Sequence, residues 1–392
     1  MKAAFFCCAR KSFQTCHMMI GMKRILVNAM TAVQMPVMAE SRVRLPDDSA
    51  LKQIPGSRES RRKGDRNWFS DPLAEALTAV APMRRLEDIG FLGAIDYIHH
   101  GTCPDSLRHR HSRLEHSIAV AELADAYART VDMPENRRQT LLAAALLHDI
   151  GHGPLSHSLE PVFEAEFGID HRKMTRRIIE GESVWGRDIL SMLKQSAIDV
   201  EEVIALIDGQ LEDDIGFLFS SPINIDTLDG ITRCQIFATA KAPFLSAKSI
   251  VHAWASDSRL PQMEFDAFWA LKHEMYNSFI HAPFYAALDV IAQAYMRDNL
   301  SRFSPDDFLL TTEELRARHP ELFRYLFCIA SRESAQFCEL PTNWLCQSVT
   351  LKSRTFTIHE QIALEGNESM NKRYKQSKDF IVISLEEMIN ET

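Results

Sequence analysis

The stretch Leu141-Leu-Ala-Ala-Ala-Leu-Leu-His148-Asp149-Ile-Gly151-His152-Gly153-Pro-Leu-Ser-His157 decides what kind of protein this 392-residue chain is. Seven small or apolar residues lead directly into a His-Asp pair, and two glycines then interrupt the helix. A buried imidazole and carboxylate are costly unless something charged or hydrogen-bonding receives them. A metal ion is such a receiver, so we expect the chemistry of the chain to lie at the end of this helix.

Most of the surrounding sequence has the periodicity of helices. Asp71 and Pro72 open the first predicted helix as its N-cap and first-turn proline. Residues 262–299 indicate one long helix, or two with a kink near Pro283. A 3.6-residue period also runs through 83–92, 113–130, 135–149, 158–167, 171–180, 187–195, 199–207 and 312–331.

Near the C-terminus the pattern changes to alternation. Residues 351–358 and 379–384 alternate apolar and polar side chains, which predicts a small sheet. The fold class is therefore mainly α, with a minor β element near the C-terminus.

Composition describes a globular chain, because 46% of the residues are hydrophobic and 25% are charged. The net charge of −9 argues against a broad nucleic-acid-binding surface but leaves a local basic patch open. We expect no transmembrane helix, because no run of about 18 apolar residues occurs. Eight scattered cysteines without a Cys-x-x-Cys motif, and no persuasive signal peptide, indicate free thiols and the cytoplasm. A nucleic-acid or anionic-effector contact and a solvated face are both open for Lys372, Arg373 and Lys375.

The N-terminal segment, residues 1–66, is interpreted as a tail and linker. Residues 1–39 contain no Asp or Glu and five Lys or Arg, which is typical of targeting peptides. A disordered tail, or a reading frame that truly starts at Met22, Met30 or later, is favoured, because the segment has no uninterrupted apolar region or clear cleavage signal.

A metal site is the first functional prediction. His116, on the predicted helix 113–130, and Asp226 join His148 and Asp149 as candidate ligands. Adjacent helical residues point about 100° apart, yet an ion beyond the helix end, where Gly151 turns the chain, is within reach of both. Two imidazoles and two carboxylates suit iron, manganese, zinc or magnesium. Histidines that are simply satisfied in the core are the alternative, but six of the fifteen histidines fall between His111 and His171.

Several motifs then occur in a recognisable order between about residues 71 and 300. They are Arg84-Arg-Leu86, His111-Ser-Arg-Leu-Glu-His116-Ser, His148-Asp-Ile-Gly-His-Gly-Pro-Leu-Ser-His157, His171, Asp226-x-x-Asp229 and Met275-Tyr-x-x-Phe-Ile-His281. With them, the chain resembles the HD-domain phosphohydrolases, whose pattern is His, then His-Asp, then a distant Asp. It is most similar to the branch containing the dGTP triphosphohydrolases and the dNTP triphosphohydrolases with SAM and HD domains.

The resemblance implies a helical HD-domain bundle over residues 67–300, followed by a small α/β extension over 301–392. It also implies a homo-oligomer and one bound divalent ion. The implied ligands are His116, His148, Asp149 and Asp226. The implied catalytic residues are His152, as general acid or base, and His171, in support. The implied contacts to phosphate or substrate are Arg113, His157, Asp229, Tyr276 and His281.

Each of these roles has a structural alternative. His152 and His157 could cap helix ends, and His171 could be a surface residue. Arg113 could pair with a carboxylate such as Glu115. The remaining pair, Tyr276 and His281, could pack in the core.

The last motif departs from the family pattern. Where the branch has a basic residue that contacts phosphate, this chain has Thr227. Gly230 replaces a tyrosine near the sugar, and Cys234 replaces the closing acid. These changes remove a charge contact and a large shape determinant, so they leave the metal site supported and the substrate open.

The predicted function is a metal-dependent phosphohydrolase of a nucleotide or related phosphate ester, with (d)NTP triphosphohydrolysis as one form. The alternative is a catalytically altered HD-fold nucleotide sensor or regulatory protein, which Thr227 and Gly230 permit. His152 and His171 argue against it, because binding alone needs no proton-transfer pair. An alarmone hydrolase is disfavoured, because Gly151-His152-Gly153 follows His-Asp where that branch has an acidic pair.

Overall fold

The computed structural model describes residues 71–98, 111–183, 185–239, 241–256, 262–331, 339–365 and 367–390. All of them belong to one of two compact units of the chain, Gly64–Thr392. The predicted tail and linker, residues 1–66, lie outside the described residues. The described part is mainly helical, as predicted, and none of its helices is both long and apolar enough to span a membrane.

The first helices are α1 (Pro72–Ala79) and α2 (Ala81–Arg85). Asp71 caps α1 as predicted, because its Oδ1 accepts hydrogen bonds from the amides of Leu73 and Ala74. The predicted helix 83–92 is wrong in extent. A 3₁₀ turn follows at Leu86–Asp88, and Gly90 then pairs with Ser112.

Two helices form the centre of the core. They are α3 (Arg113–Thr130) and α4 (Glu135–Leu147), and they pack against each other. Ser112 and Glu115 form a capping box that defines the start of α3. The apolar run Leu141–Leu147 has no exposed surface. The helix ends at Leu147 rather than at residue 149, so His148 and Asp149 belong to the turn that follows.

Helices from the middle of the chain pack against α3 and α4. The helices of this region are α5 (Glu160–Phe167), α6 (His171–Ile179), α7 (Arg187–Gln195), α8 (Val200–Ile207), α9 (Phe217–Ser220), α10 (Ile225–Thr239) and α11 (Ala247–Ser256). The boundaries of α6, α7 and α8 agree with the predictions to within one residue, and α5 begins two residues later than predicted.

The predicted break in residues 262–299 is confirmed. Helix α12 (Gln262–Met275) runs into a π-helical turn at Tyr276–Ile280, and α13 (Pro283–Asp298) follows. The predicted helix 312–331 is two helices, α14 (Thr312–Arg318) and α15 (Pro320–Ala330). Pro320 causes this break, because its ring disfavours helical geometry at the preceding residue.

The C-terminal region contains α16 (Thr342–Leu345), β1 (Ser348–Ile358), α17 (Asn367–Arg373), β2 (Tyr374–Ser384) and α18 (Leu385–Asn390). The predicted sheet is confirmed: β1 and β2 pair antiparallel, from Ser348 opposite Ser384 to Ile358 opposite Tyr374. Strand β1 lies against α12, and α18 lies against α13.

One basic residue of this region has neither of the roles considered for it. Arg373 is 2% exposed and forms an ion pair with Asp266, so it is neither a solvated residue nor a free anion contact. Lys372 pairs with Glu368 one helical turn away.

Candidate active site

The predicted ligand residues come together where the end of α4 meets α3 and α10. His116 on α3 is 1% exposed. Its Nδ1 lies 2.6 Å from Oδ2 of Asp229 and its Nε2 lies 3.1 Å from Oδ1 of Asp226. The Nε2 of His148 lies 3.2 Å from the Nε2 of His116. The structure therefore brings together residues 32 and 110 positions apart in the sequence.

The outer nitrogens of both imidazoles are already engaged. His148 Nδ1 lies 2.9 Å from the carbonyl oxygen of Ala145, which can only accept, so this nitrogen donates. His116 Nδ1 donates in the same way to the Asp229 carboxylate. A neutral imidazole carries one proton, so when both rings are neutral, as metal ligation requires, both Nε2 atoms present lone pairs to the space between them.

Two carboxylates complete this arrangement. Oδ2 of Asp149 lies 3.6 Å from Nε2 of His116, and Asp226 has 46% of its side-chain surface exposed. Burial lowers the pKa of His116, but the hydrogen bonds with Asp226 and Asp229 outweigh burial and raise the pKa to about 9. The convergence point thus favours a positive charge. Two imidazoles and two carboxylates fit a single divalent ion of the iron, manganese, zinc or magnesium type.

Arg113 lies directly behind Asp149. Its Nη1 donates to Oδ2 of Asp149 at 2.8 Å, and its Nε donates to the hydroxyl of Ser156 at 3.0 Å. Its Nη2 donates to the carbonyl of Phe91, and the guanidinium lies 4.7 Å from the Phe91 ring centre. All three nitrogens are therefore engaged inside the protein. Of the alternatives for Arg113, the structure shows pairing with Asp149, not with Glu115.

Asp229 lies on the other side of His116. Its Oδ2 accepts from His116 Nδ1 and, at 2.5 Å, from Nε of Arg233. Arg233 also donates to the carbonyl of Glu115, which anchors α10 to α3. The carboxylate of Asp229 therefore orients His116, as outer carboxylates do at metal sites.

A second cluster of histidines lies beside the first. His152 is 1% exposed, and its Nε2 lies 3.2 Å from Oδ1 of Asp149. Its ring stacks on His171, with centres 4.3 Å apart and planes inclined by 5°. The ring of His157 meets both rings edge-on. Glu160 joins the group, because its Oε2 lies 2.6 Å from Nδ1 of His171.

The close approach between the two halves of this cluster depends on Gly151. A Cβ at this position would lie 2.2 Å from the carbonyl oxygen of His171 and 2.3 Å from the amide nitrogen of Thr175. Any larger residue would push the turn away from the start of α6. Gly151 therefore allows His152 and His171 to stack.

The sequence prediction missed two residues that hold this region. Glu160 has the ordinary i, i+3 spacing from His157, and only the fold shows that it bonds His171. Arg85 is buried and donates to the carbonyls of Ile150 and His152 at 3.0 and 2.7 Å. The Arg84-Arg-Leu86 motif was the available signal for Arg85.

The altered positions of the last motif have visible roles. The amide of Thr227 donates to the side chain of Asn224, and the Thr227 hydroxyl accepts from the Asn224 amide, which caps α10. Gly230 lies against Phe91, whose ring atom Cζ would be 3.3 Å from an added Cβ. Phe91 therefore occupies the space beside Gly230, 4.7 Å from the His116 ring centre.

Tyr276 begins the π-helical turn and His281 caps its C-terminal end, and their ring centres lie 5.2 Å apart. Burial raises the pKa of Tyr276, the nearby charge of Arg354 lowers it, and the charge of Asp226 raises it. Tyr276 is therefore near the first cluster without belonging to it. Its ring also lies 5.3 Å from that of Phe356 on β1.

Comparison with known families agrees with this geometry. Residues 113–232 match the family profile described as HD domain. These residues form an HD domain. Its matched range contains all four candidate metal ligands and both histidines of the stacked pair.

Three relatives show how far the similarity extends. The uncharacterized protein YwfO of Bacillus subtilis is 34% identical over 168 residues, which is 42% of this chain and 36% of that protein. A deoxyguanosinetriphosphate triphosphohydrolase-like protein of Rhodopseudomonas palustris is 39% identical over 75 residues, 18% of each chain. The deoxynucleoside triphosphate triphosphohydrolase SAMHD1 homolog of Dictyostelium discoideum is 27% identical over 32% of this chain and 24% of that one. Each match covers less than half of the relative.

Two crystal structures share the fold. A hypothetical protein from Aquifex aeolicus superposes with a TM-score of 0.55 and 17% identity, covering 82% of this chain and 95% of that chain. A phosphohydrolase from Bacteroides thetaiotaomicron superposes with a TM-score of 0.51 and 14% identity, covering 77% and 93%. The HD domain and the region that follows it thus have counterparts in solved structures.

Proposed function

We propose that this protein is a metal-dependent phosphohydrolase of a nucleotide or related phosphate ester. One observation carries the proposal: four ligand atoms of His116, His148, Asp149 and Asp226 converge, while the protons of both imidazoles are directed elsewhere. When bound at this point, a divalent ion supplies Lewis acidity to a phosphoryl group and lowers the pKa of a coordinated water.

The side chains of the first cluster have a positioning role in this proposal. Arg113 holds Asp149 and Asp229 holds His116, so neither ligand can rotate freely. Outer contacts of this kind fix the orientation and the tautomer of the ligands. In this proposal Arg113 and Asp229 act on the substrate through the ligands they hold.

The second cluster supplies proton transfer. Burial, assisted by the nearby charge of Arg113, lowers the pKa of His152 well below its usual range, so its imidazole is neutral at pH 7. His171 donates its Nδ1 proton to Glu160, which leaves its Nε2 able to accept. The neutral imidazole of His152, next to Asp149 and stacked on His171, can accept a proton from a water and pass it to a leaving oxygen.

The names of the relatives suggest the substrate. Two of them are named as, or as resembling, triphosphohydrolases of deoxynucleotides. We therefore propose a nucleoside triphosphate as the first substrate to test. Release of triphosphate or of a single phosphate distinguishes the two bonds that the site could cleave.

The test combines metal analysis with a substrate panel. The full chain is purified, its metal content is measured by mass spectrometry, and hydrolysis of dNTPs, NTPs, nucleoside monophosphates and a generic phosphodiester is assayed with manganese. The double variant His148→Ala/Asp149→Ala removes two ligands, whereas His252→Ala changes an exposed histidine of α11 and serves as the matched control.

We expect turnover in the wild type and in His252→Ala, and neither metal nor turnover in the double variant. Hydrolysis that persists in the folded double variant would refute the proposal. Stoichiometric metal with no turnover on any substrate would favour the nucleotide-sensor alternative.

A further inference from the structure

Two basic side chains of strand β1 lie against residues of the π-helical turn and its C-terminal cap. We call this group the hairpin cluster, and it consists of Tyr276, His281, Lys352 and Arg354. The guanidinium carbon of Arg354 lies 4.5 Å from the centre of the Tyr276 ring. The backbone carbonyl of Arg354 accepts a hydrogen bond from Nδ2 of Asn277 at 2.8 Å, which fixes β1 to the turn.

Two nitrogens of the hairpin cluster have no hydrogen-bond partner. They are Nε of Arg354 and Nδ1 of His281, and both atoms are buried. Buried polar groups in native proteins are nearly always hydrogen-bonded, so an unpartnered pair calls for an explanation. Both can act as donors to an acceptor oxygen.

The hairpin cluster also lacks a counter-charge. In the part of the chain that the structure describes, neither Lys352 nor Arg354 forms an ion pair. Arg373, in the same region, shows the contrast, because it is paired with Asp266 and donates to three backbone carbonyls. Burial lowers the pKa of His281 to about 4, and the charges of Arg354 and Lys352 act in the same direction. The surroundings of His281 are therefore positive.

Electrostatic effects connect the hairpin cluster with the ligand residue Asp226. Burial has the largest effect on the pKa of Tyr276 and of Lys272. In addition, the charge of Asp226 raises both pKa values and the charge of Arg354 lowers both. Nζ of Lys272 donates to the carbonyl of Pro222 at 2.9 Å, four residues before Asp226. At the start of helix α10, position 227 carries no positive charge, because Thr227 is neutral and its hydrogen bonds with Asn224 cap the helix.

We propose that Arg354, with Lys352 and His281, forms a phosphate subsite that binds the part of a polyphosphate chain remote from the metal ligands. The subsite rests on the proposed phosphohydrolase function and specifies its substrate class as a nucleoside di- or triphosphate rather than a monoester or diester. Arg354 presents a planar fork that matches phosphate oxygens. Strand β1 thereby supplies the charge that Thr227 does not.

The first measurement is binding of inorganic tripolyphosphate to the purified full chain by titration calorimetry. Arg354→Ala is compared with the wild type, with Arg354→Lys, and with Arg187→Ala, an exposed arginine of α7 without an ion pair among the described residues. We expect Arg354→Ala to weaken binding about 10- to 100-fold, as loss of hydrogen bonds to a charged group does. Arg354→Lys keeps the charge but not the planar guanidinium, so its affinity for tripolyphosphate should lie between those of the wild type and Arg354→Ala. Arg187→Ala should bind tripolyphosphate as tightly as the wild type does.

Kinetics separate this subsite from the proposed reaction. Arg354→Ala should raise KM for a nucleoside triphosphate by a similar factor, with kcat changed less than threefold and the melting temperature unchanged. Wild-type tripolyphosphate affinity in folded Arg354→Ala would overturn the subsite while leaving hydrolysis standing. Arg354-dependent binding without any hydrolysis would leave the subsite standing and refute the enzyme.

Discussion

Two clusters of histidine and carboxylate side chains lie side by side in the HD domain, and their hydrogen bonds run in different directions. In the metal cluster, His116 and His148 donate outward, to Asp229 and to a backbone carbonyl, and their lone pairs converge. In the neighbouring relay cluster, which consists of His152, His157, Glu160 and His171, the carboxylate is inside the group. There it accepts the proton of His171, and the imidazole of His152 stacks on that of His171.

The difference teaches that similar residue types can be held in different hydrogen-bond patterns, and the proposed roles of the two clusters follow from those patterns. Convergent imidazole nitrogens and carboxylates favour a positive charge between them, which a proton or a metal ion can supply. A carboxylate that already holds an imidazole proton leaves the other ring nitrogen free for acid–base work. The carboxylate of Asp149 lies against both clusters, because it contacts His116 of the first and His152 of the second.

The largest expected effect follows from His116→Ala. Loss of this ligand should remove the metal and lower kcat/KM about 10³-fold or more, since a metal ion supplies several kcal/mol of transition-state stabilisation. Metal content and kcat/KM are measured on the same preparation, with His252→Ala as the control. A variant that keeps full metal occupancy would show that the convergent geometry is not the cation site.

The relay cluster should respond differently to the same kind of change. His152→Ala should lower kcat about 10²- to 10⁴-fold, the range of a general acid or base, and should retain the metal. Glu160→Gln should lower kcat less, because it keeps the shape and loses only the charge that orients His171. Loss of metal in His152→Ala would show that the relay cluster also contributes to metal binding, so the two clusters would not be separate sites.

A smaller effect is expected from Asp229, which orients a metal ligand from outside. Asp229→Asn should weaken metal affinity about 10- to 100-fold, the range for outer partners of ligating histidines. Competition with a chelator measures the metal affinity of each variant. Asp188→Asn, on the exposed side of α7, is the control. Equal affinity in both variants would remove Asp229 from the metal cluster.

The smallest effect concerns stability near the relay cluster. Asp289 on α13 hydrogen-bonds with Ser158, and burial raises the pKa of Asp289 to about 6. Its folded-state pKa exceeds the unfolded value, so the folded protein binds more protons between about pH 4 and 6 and loses stability as pH rises through that window. Asp289→Asn removes this penalty and should stabilise the protein by about 1–2 kcal/mol at pH 7.5.

Chemical denaturation at pH 7.5 and at pH 4.5 measures this gain. The gain should shrink at the lower pH, because the wild-type carboxyl is then largely protonated. The exposed Asp306→Asn serves as the control. A gain equal at both pH values would show that Asp289 does not titrate as described.

Much of this architecture was accessible from the sequence. The apolar run before His148 predicts a buried helix with chemistry at its end, and Gly151 predicts the turn. The start of α6 at His171 and the alternation of β1 and β2 were also predictable, because local periodicity and capping report on short-range structure. The break at Pro320 was the local signal that the helix prediction for 312–331 missed.

The site residues that the sequence could not identify are held by long-range contacts. Glu160 is separated from His171 by eleven residues and Arg354 from Tyr276 by more than seventy. Arg85 reaches a turn that begins more than sixty residues away. Periodicity contains no information about such contacts, because they depend on how the helices pack.

The sequence by itself determined where a candidate site begins, since an imidazole–carboxylate pair at the end of an apolar helix needs a charged or hydrogen-bonding partner wherever the helix lies. Only the tertiary structure decided which side chains meet there and in which direction their hydrogen bonds run. It directed the protons of His116 and His148 away from each other, placed Glu160 against His171, and set Arg354 above Tyr276. The physical reason is that hydrogen-bond direction and burial are properties of packed neighbours, and packing joins residues that the sequence separates.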